Sequence, residues 1–556
     1  MRKRHLLVAG VITLALVTLV ASCTPEAPTP APEEKPVTVR AALSTFGTDS
    51  LDPIKTSSLA ARHRLIGVLY DTLIGLGPDG KMSKETGVAE DWEMSEDGET
   101  WTFHIRKGVQ FHEGWGEVTA EDVKFSLERS HSEASQTTQG AVLSKWITEI
   151  ETPDDYTVKI HTDGAKVYLP GMFSPRKEEG VIYSKKYLME KAGADWEAQV
   201  AVLDEHPIGS GPFTFVERKK GDYMLFEAFE DYWRGKPDYE FLEMVLVPEA
   251  ATQINMLRAR EIDIIPTEGV MVESAKQAGE VRGIPLSLDV YLLCVGPWWP
   301  GVQEKGLPTA NAKVRKALDL AINKQEIVDS LFAGYGSIPL GPARTIPAML
   351  DFDTDYWKKY YDENHRYDPE RAKELLAEAG YPGGGDFSDI KFYAYKRGNA
   401  PWIPSIVEAI VGYWSQIGVM VEIVPIDYGA WRPHWIRPEF DDQMSGGQWM
   451  LNASTVKDFP SDALAGSYAS TAGAHYVNNE RLDKLALELI PGELDAAKRK
   501  ELVTEAFMIA EEEGTVFAIC FVDALYAVNP DKIGEWQTCD SHSTLGPVWQ
   551  TIKVKR

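Results

Sequence analysis

A segment rich in proline and glutamate, Thr24 to Pro36, divides this chain into two very unequal parts. The segment contains no large apolar residue, so we expect it to stay extended and solvated, as a tether. Residues 37–556 follow it and have the composition of a globular protein. A stretch of that length exceeds what one hydrophobic core normally serves, so it predicts a protein of two or more lobes.

The residues before the tether have the pattern of a secretion signal. Three basic residues at positions 2–4 precede an uncharged apolar run at 6–21, shorter than the roughly 20 residues of a membrane span. The small residues before Cys23 resemble a bacterial lipobox, which predicts a signal peptide over 1–22 and an extracytoplasmic protein anchored to the membrane by a lipid on Cys23. An ordinary signal peptide with a coincidental cysteine remains the alternative, because Val20 rather than leucine opens the box.

Charge and cysteine usage exclude two classes of protein. The formal net charge is −27, from 57 Lys plus Arg against 84 Asp plus Glu. An acidic surface repels phosphates, so a nucleic-acid partner is not expected. Besides Cys23 the chain has Cys294, Cys520 and Cys539, and none forms the Cys-x-x-Cys pair of a zinc ribbon. Cys520 and Cys539 are compatible with an extracellular disulfide and equally with burial as free thiols.

The stretch LIGLGPDGKM, Leu73 to Met82, has the glycine and lysine spacing of a phosphate-binding P-loop. A P-loop needs a serine or threonine after the lysine and a helix that begins there. Met82 follows Lys81, and the next residues have no helical stripe of apolar side chains. Pro-Asp-Gly between two apolar runs instead predicts a tight turn of a hairpin.

Strands and helices are mixed throughout the chain, which predicts an α/β protein. The spacing of apolar residues predicts a strand over Trp101–Val109 and a strand over Val419–Val424. Capping residues and helical stripes predict helices from Thr119 to Arg129, over 314–322, from Asn323 to Gly334, from Asp368 to Gly380, and over Ile403–Gly418.

Five longer segments occur in a consistent order: YDTLIGLGPDGKMSKETGVAEDW from Tyr70, VTAEDVKFSLER from Val118, PIGSGPFTF from Pro207, VRKALDLAINKQEIV from Val314 and YDPERAKELLAEAGYP from Tyr367. In this order they resemble the family 5 extracellular solute-binding proteins, the ligand receptors of peptide, nickel and related ABC importers. The resemblance extends over nearly the whole chain after the tether. In that family the GPDGK position is a surface hairpin turn.

The resemblance implies a two-lobed clamshell of α/β type with an extra domain on the first lobe. Lobe I would combine 37–70, 201–284 and 518–556, the extra domain would be 71–200, and lobe II would be 285–517. A ligand between the lobes would stabilise the closed form, which an ABC permease in the membrane would recognise. The resemblance further implies a monomer without cofactor or enzymatic activity, with a peptide as the default ligand.

An enzyme is the rival class, and its common signatures are incomplete in this chain. His112-Glu113 lacks the second histidine of the HExxH motif, and Gly209-Ser210-Gly211 does not fit GxSxG. His104 and His112 could share a face and bind a metal, as some relatives carry nickel or haem. Two histidines without a third ligand are more often surface or packing residues. A signalling receptor or chaperone with the same clamshell stays open as a third class.

Aromatic residues are concentrated in the predicted lobe II, and their flat faces suit sugar rings, apolar side chains and cations. Many of them should be core, as Trp414 on its predicted helix illustrates. The loop around Trp298 and Trp299 is expected to border the cleft. The remaining candidates for ligand contact are Trp402, Tyr428 and Phe46, and Arg397 and Arg432 are candidate partners of a ligand carboxylate, although surface arginine is commoner.

The segment GGQWMLNAS, Gly446 to Ser454, corresponds to a position where peptide-binding relatives carry a tryptophan followed three residues later by an aspartate. That aspartate pairs with the α-ammonium group of the peptide. Here the two residues are Trp449 and Asn452, and an asparagine lacks the charge that a buried ammonium group requires. The exchange predicts a neutral ligand, such as an oligosaccharide or another neutral organic solute. The alternative is that Asn452 caps a turn and Asp458 takes the role of the aspartate.

Overall fold

The structure is a computed structural model that describes residues 36–47, 49–55, 65–137, 139–397, 400–436, 446–457, 459–472, 474–537 and 548–556. The predicted signal peptide, Cys23, the tether up to Lys35, Asp458 and Cys539 lie outside the described residues. Among the described residues, no helix combines the length and the apolar character needed to cross a membrane.

The strands in the described part of the chain are β1 Thr38–Leu43, β2 Gly75–Leu76, β3 Met82–Ser83, β4 Ala89–Met94, β5 Thr100–Ile105, β6 Ile147–Asp154, β7 Thr157–Thr162, β8 Phe213–Lys219, β9 Tyr223–Ala228, β10 Phe241–Leu246, β11 Ile264–Thr267, β12 Glu280–Cys294, β13 Gly336–Ser337, β14 Gly385–Ala394, β15 Val419–Pro425, β16 Trp449–Thr455 and β17 Val516–Val528. One large sheet has the order β15-β14-β16-β12-β17-β11-β1-β10-β9-β8, and β13 pairs with β17 beside that path. A smaller antiparallel sheet has the order β4-β5-β7-β6.

The α-helices are α1 Ala120–Ser130, α2 Gly140–Trp146, α3 Lys185–Ala192, α4 Trp196–Glu205, α5 Ala250–Arg258, α6 Val272–Ala278, α7 Pro300–Glu304, α8 Ala312–Leu320, α9 Lys324–Leu331, α10 Thr354–Asn364, α11 Pro369–Glu378, α12 Ile403–Gln416, α13 Tyr428–Trp435, α14 Pro460–Ala463, α15 Glu480–Lys484, α16 Ile490–Gly492 and α17 Ala496–Glu513. Helix α1 begins with the predicted capping box of Thr119 and Asp122. The side chain of Asn323 caps α9, and that of Asp368 caps α11.

The two longest strands, β12 and β17, pair with each other on both sides of an irregularity in their register between Ile284 and Leu288. On one side of it β17 pairs with β11, and on the other side β12 pairs with β16. Leu286 lies within the irregularity and has a left-handed φ of 56°. The strand pair therefore changes its outer partners at one place in the continuous sheet, which we call the hinge.

Separate hydrophobic clusters lie on the two sides of the hinge. One cluster contains residues between Val39 and Ile284 and a few from Tyr526 to Ile552. A second cluster contains residues between Val290 and Val522, together with Val167 and Tyr168. The molecule therefore has two lobes, lobe I around the first cluster and lobe II around the second. The residue limits predicted for the lobes and the extra domain stay predictions.

The predicted turn at the GPDGK sequence is confirmed. Strands β2 and β3 form an antiparallel hairpin, in which Gly77 N donates to Lys81 O across the turn over a distance of 2.8 Å. Gly80 has a φ of 77°, which glycine adopts without strain. Because strand β3 rather than a helix begins after Lys81, no helix N-terminus is available to hold a phosphate there.

Two boundaries predicted from the sequence are corrected. The strand predicted over Trp101–Val109 is β5 and ends at Ile105, because Gly108 adopts a φ of 84° in the turn that follows. The helix predicted to end at Gly334 is α9, which ends at Leu331. Cys294 and Cys520 are buried as free thiols in the described part of the chain.

The segment predicted to be the extra domain, which contains the small sheet, also contacts lobe II directly. The rings of Tyr168 and Phe459 lie 5.4 Å apart, and Lys177 Nζ lies 2.9 Å from Asp462 Oδ2. Gly171 is buried beneath Phe459, so closely that a Cβ atom at this position would lie 1.6 Å from the Phe459 ring. We call these five residues the clasp. Its contacts hold the extra domain and lobe II together in the arrangement described here.

Candidate functional site between the lobes

Polar and aromatic side chains meet where the parallel strands of lobe II end. Strand β14 runs parallel to β15 and β16, with Tyr393 opposite Met450. Tyr395 follows the end of β14, Tyr428 follows the end of β15, and Asn452 lies on β16 beyond the last residue of β14. Ligand sites of open α/β sheets lie outside the carboxyl ends of parallel strands. This edge of lobe II is therefore the first candidate for the binding site.

Asn452 is buried and forms three hydrogen bonds. Its Oδ1 accepts from Ala453 N at 2.9 Å and from Tyr395 Oη at 3.1 Å, and its Nδ2 donates to Tyr291 Oη at 2.8 Å. The backbone N–H of Ala453 is only a donor, so it fixes which end of the amide is the oxygen. Both lone pairs of Oδ1 are occupied, and one N–H remains. Asn452 therefore offers a ligand a donor rather than an acceptor.

Tyr291 extends this network to Tyr476 and Arg344. Tyr291 Oη accepts from Asn452 Nδ2 and, at 3.3 Å, from Arg344 Nη1. Its single proton is then left for Tyr476 Oη, which lies 2.6 Å away. Tyr476 therefore accepts this bond and keeps its own proton for another acceptor. Donors and a buried guanidinium group dominate the network, so it suits a carbonyl, hydroxyl or carboxylate oxygen and disfavours an ammonium group.

Asp289 lies beneath Arg344, fully buried. Asp289 Oδ2 accepts from the backbone N of Arg344, and Oδ1 has no hydrogen-bond partner among the described residues. Burial raises the pKa of Asp289 to about 7, against the opposing effect of the Arg344 guanidinium. Arg344 itself has a left-handed φ of 68°, held by this contact. The carboxyl group thus positions the backbone that carries the guanidinium into the network.

The raised pKa of Asp289 predicts that this residue lowers stability as the pH rises. In the unfolded chain an aspartate titrates at about 3.9. Between that pH and about 7 the folded carboxyl keeps a proton that the unfolded one has lost, so the free energy of unfolding falls, and above about 7 the loss is complete. We expect Asp289→Asn to lose less stability than the wild type between pH 5 and pH 8. Urea unfolding at both values measures this, and parallel losses would contradict it.

The structure places the candidate aromatic residues in different environments. Trp449 has no exposed surface and packs between Trp414 and Phe517, at ring distances of 5.4 and 6.3 Å. Trp299 is buried too, and the half-buried Trp298 lies 5.2 Å from the His475 ring. That these tryptophans contact a ligand stays a prediction. Trp449 has no exposed surface that a ligand could contact in this structure.

Other candidates lie nearer the strand ends and the hinge. Tyr428 packs on Tyr395 at 5.0 Å, and the Arg397 guanidinium lies 5.2 Å from the Tyr428 ring. Arg397 also donates to Ala453 O at 3.1 Å, so it belongs to the Asn452 region. Trp402 lines a cavity at the hinge. Phe46 is buried shortly after β1, and Arg432 is exposed on α13. The structure thus joins Tyr428, Arg397 and Asn452 and leaves Arg432 outside.

Four members of the network were missed by the sequence analysis: Tyr291, Arg344, Tyr395 and Tyr476. Tyr291 lies in the apolar run of β12, where it has the pattern of a core residue. Its partner Tyr476 is distant in the sequence, so no local spacing links the two. Tyr395 directly follows β14, a strand that the sequence analysis did not predict.

The histidines considered for metal binding do not meet. His112 Nε2 donates to Gly211 O at 2.9 Å, and Gly209 N donates to His112 Nδ1 at 3.3 Å. Both ring nitrogens of His112 are therefore occupied, and burial lowers its pKa to about 4. His104 lies on β5 opposite Asp91. Within the described ranges, no group of three or more histidine, cysteine or carboxylate side chains is arranged to hold a metal ion.

Comparison with known protein sequences identifies relatives that are binding proteins. Residues 85–471, more than half of the chain, match the sequence model of the bacterial extracellular solute-binding proteins, family 5. The chain is 29% identical to the heme-binding protein A of Haemophilus influenzae over 462 residues, 78% of each chain. It is 30% identical to the dipeptide-binding protein of Escherichia coli over 365 residues, which are 62% of this chain and 64% of that protein.

Solved structures give the same result for the fold. The structure of HbpA2 from Haemophilus parasuis is similar with a TM-score of 0.75 at 23% identity, over 94% of this chain and 100% of the other. The periplasmic binding protein DppA from Helicobacter pylori, in complex with the peptide STSA, is similar with a TM-score of 0.65 at 21% identity, over 94% and 98%. The predicted two-lobed α/β clamshell is confirmed. The chain belongs to the family 5 bacterial extracellular solute-binding proteins, a family of binding proteins of ABC importers.

Proposed function

We propose that this chain is the extracytoplasmic, lipid-anchored substrate-binding protein of an ABC importer, which captures a peptide-like solute between its lobes and delivers it to the permease. The observation that carries the proposal is the buried network around Asn452, Tyr291 and Arg344 at the strand ends of lobe II. A buried set of directed donors beside aromatic rings orients a small organic ligand. The names of relatives that bind dipeptides and heme support the ligand class.

A thermal-shift screen of residues 37–556 tests the binding function. The compounds are di- and oligopeptides, cello- and xylo-oligosaccharides, nickel and haem. A ligand at a hundred times its dissociation constant should add about 2.7 kcal/mol of stability. Stabilisation by peptides supports the proposal, and stabilisation by oligosaccharides alone would replace the peptide by a neutral solute. If no compound raises the melting temperature, the proposal is contradicted.

The second candidate is transport of a neutral organic solute, which the hydrogen bonds of Asn452 favour. Because Oδ1 of Asn452 is doubly occupied, an ammonium group would find no free acceptor on this side chain. The two candidates share the same transport role and the same site. They differ in whether a free amino terminus contributes to affinity.

We expect Asn452→Asp to shift the preference of the protein toward ligands with a free amino terminus. The new carboxylate supplies the buried counter-charge that an ammonium group requires. Calorimetry with a peptide and its N-acetylated form measures the preference in the wild type and the variant. We expect acetylation to cost the variant more affinity than it costs the wild type. If the wild type binds the free peptide tightly and acetylation abolishes this binding, the native cleft already binds the ammonium group. That result would contradict the prediction of a neutral ligand.

Anchoring depends on Cys23, which lies outside the described residues. We expect Cys23→Ser to leave the protein folded but release it from the membrane, because stable anchoring requires the acyl chains that the cysteine carries. Fractionation of cells that express the variant measures the release, with Ser22→Ala as the control that keeps the cysteine. Full retention of Cys23→Ser in the membrane fraction would contradict the lipoprotein assignment.

A further inference from the structure

A cavity of about 360 Å³ lies at the hinge, separate from the hydrogen-bonded network around Asn452. Its lining comes from both lobes. Ser44 follows strand β1 and Thr267 ends strand β11, both of lobe I, and Phe332 and Trp402 come from lobe II. Asp523 of β17 also lines the cavity, and it lies within the register irregularity between β12 and β17. A group bound here would touch both lobes and the strand pair that connects them.

The charged groups that line this cavity are carboxylates. Glu268 and Asp523 both face it, and no lysine, arginine or histidine is among its described lining residues. Glu268 is an exposed residue whose carboxylate forms no ion pair or side-chain hydrogen bond with a described residue, and the backbone N–H of Leu286 donates to the half-buried Asp523. Burial raises the pKa of Glu268, and it raises that of Asp523 to about 6. Neither carboxyl group forms an ion pair with a described residue, and Lys276, whose Nζ lies 5.4 Å from the ring of the lining residue Tyr335, pairs with Glu273 instead.

The hydroxyl group of Thr267 is a second, independent sign of a missing partner. Thr267 is only 8% exposed, lines the cavity, and its Oγ1 has no hydrogen-bond partner among the described residues. A buried hydroxyl without a partner is destabilising, so such groups in native proteins call for an explanation. A hydrogen-bond donor placed in the cavity would satisfy it.

The aromatic wall of the cavity fits the same kind of group. Trp402 and Phe332 pack edge to face at 5.1 Å, and the indole of Trp402 borders the cavity. Indole faces attract cations more strongly than other aromatic side chains do. Leu288 and Val522 add apolar surface, which suits the alkyl chain that carries a cation.

We propose that the hinge cavity binds a cationic group of the transported solute, an ammonium or guanidinium group on an alkyl chain, through Glu268, Thr267 and Trp402. This proposal rests on the proposed function, since it names the solute class of the same cleft. The prediction of a neutral ligand then applies only to the part of the solute that contacts Asn452. The positive charge of the solute is bound at the hinge. A group bound there contacts both lobes at the same time, which favours the closed form.

Calorimetry with matched tripeptides tests the proposal. The probes carry lysine at the first, second or third position of an otherwise all-alanine peptide, and each has a counterpart with norleucine, which keeps the alkyl chain and lacks the charge. We expect one lysine peptide to bind at least tenfold more tightly than its counterpart. Equal affinities within all three pairs would overturn the proposal while leaving peptide binding intact. No binding of any peptide would contradict the peptide function itself, and this proposal with it.

Two variants locate the effect. Glu268→Gln should reduce the preference for lysine over norleucine to threefold or less, without changing the affinity for the norleucine peptide. Glu261→Gln removes the same charge from an exposed position that does not line the cavity, so it should keep the preference. The assignment of Glu268 to the cation site would be overturned by either of two results. One is that Glu268→Gln prefers lysine over norleucine as strongly as the wild type does, and the other is that the variant loses equal affinity for both peptides.

Discussion

Replacement of Trp449 by alanine is expected to lower the free energy of unfolding by about 3–5 kcal/mol, the range for removal of a fully buried large aromatic side chain. Trp449 has no exposed surface, and its ring packs between Trp414 and Phe517. It also lies on β16, opposite Cys294 of β12 and Phe392 of β14, so the cavity left by alanine would open inside the sheet packing of lobe II. Urea unfolding of the variant and the wild type measures the change.

Trp449→Phe is the matched control for this prediction. The indole Nε1 of Trp449 has no hydrogen-bond partner among the described residues, so phenylalanine loses packing volume but no hydrogen bond. We therefore expect Trp449→Phe to be clearly more stable than Trp449→Ala. A change below about 1 kcal/mol in Trp449→Ala would contradict the burial of this residue.

The same variant separates a packing role of Trp449 from a ligand contact. The sequence predicts that a stacked ligand would lose about 1–3 kcal/mol of binding free energy in Trp449→Ala. Calorimetry at a temperature where the variant is fully folded measures that loss without the contribution of unfolding. An unchanged affinity there would show that Trp449 acts on stability alone.

Gly171→Ala is expected to weaken ligand binding roughly 5- to 150-fold, which corresponds to about 1–3 kcal/mol of overpacking in the closed form. The new Cβ would lie 1.6 Å from the Phe459 ring, which is itself buried and packed on Tyr168. The backbone of Gly171 does not have a positive φ, so alanine is compatible with the local conformation. The nearest atoms to the new methyl group all belong to Phe459, so we expect it to oppose the contact between the extra domain and lobe II, which we assign to the closed form.

The double variant Gly171→Ala, Phe459→Ala provides the control, because removal of the ring frees the space that the methyl group needs. We expect it to bind the ligand found in the thermal-shift screen more tightly than Gly171→Ala does. Small-angle X-ray scattering with that ligand should show a larger radius of gyration for Gly171→Ala than for the wild type. Wild-type affinity in Gly171→Ala would contradict the role of the clasp in closure.

Local features of the sequence were sufficient for much of the fold. The turn at Gly77–Lys81, the caps at Thr119, Asn323 and Asp368, and the alternation of helices and strands depend on residues close together in the chain. Such features follow from backbone conformation and short-range hydrogen bonds, which the residue types control directly. Strand and helix ends were less predictable, as β5 shows, because a turn glycine there ended an otherwise regular pattern.

The binding network depended on the tertiary structure. Tyr291 meets Tyr476 and Arg344 because β12, the loop after β13 and the segment before α15 converge on one edge of lobe II. Asn452 was identified from the sequence, but its unused donor became evident only from the hydrogen bonds that surround it. The burial of Trp449 could not be predicted from the sequence either. A tryptophan on a strand has the same local sequence pattern whether it packs in a core or borders a cleft.

The sequence by itself determined the α/β class, the hairpin turn and the family, because each rests on local chemistry or on the order of segments along the chain, and the secretion signal stays a prediction. The tertiary structure decided which side chains share a site, which tryptophans are core and where Glu268, Thr267 and Trp402 meet at the hinge. Those properties depend on contacts between residues far apart in the chain. Such contacts depend on how strands and lobes pack, which no local spacing encodes.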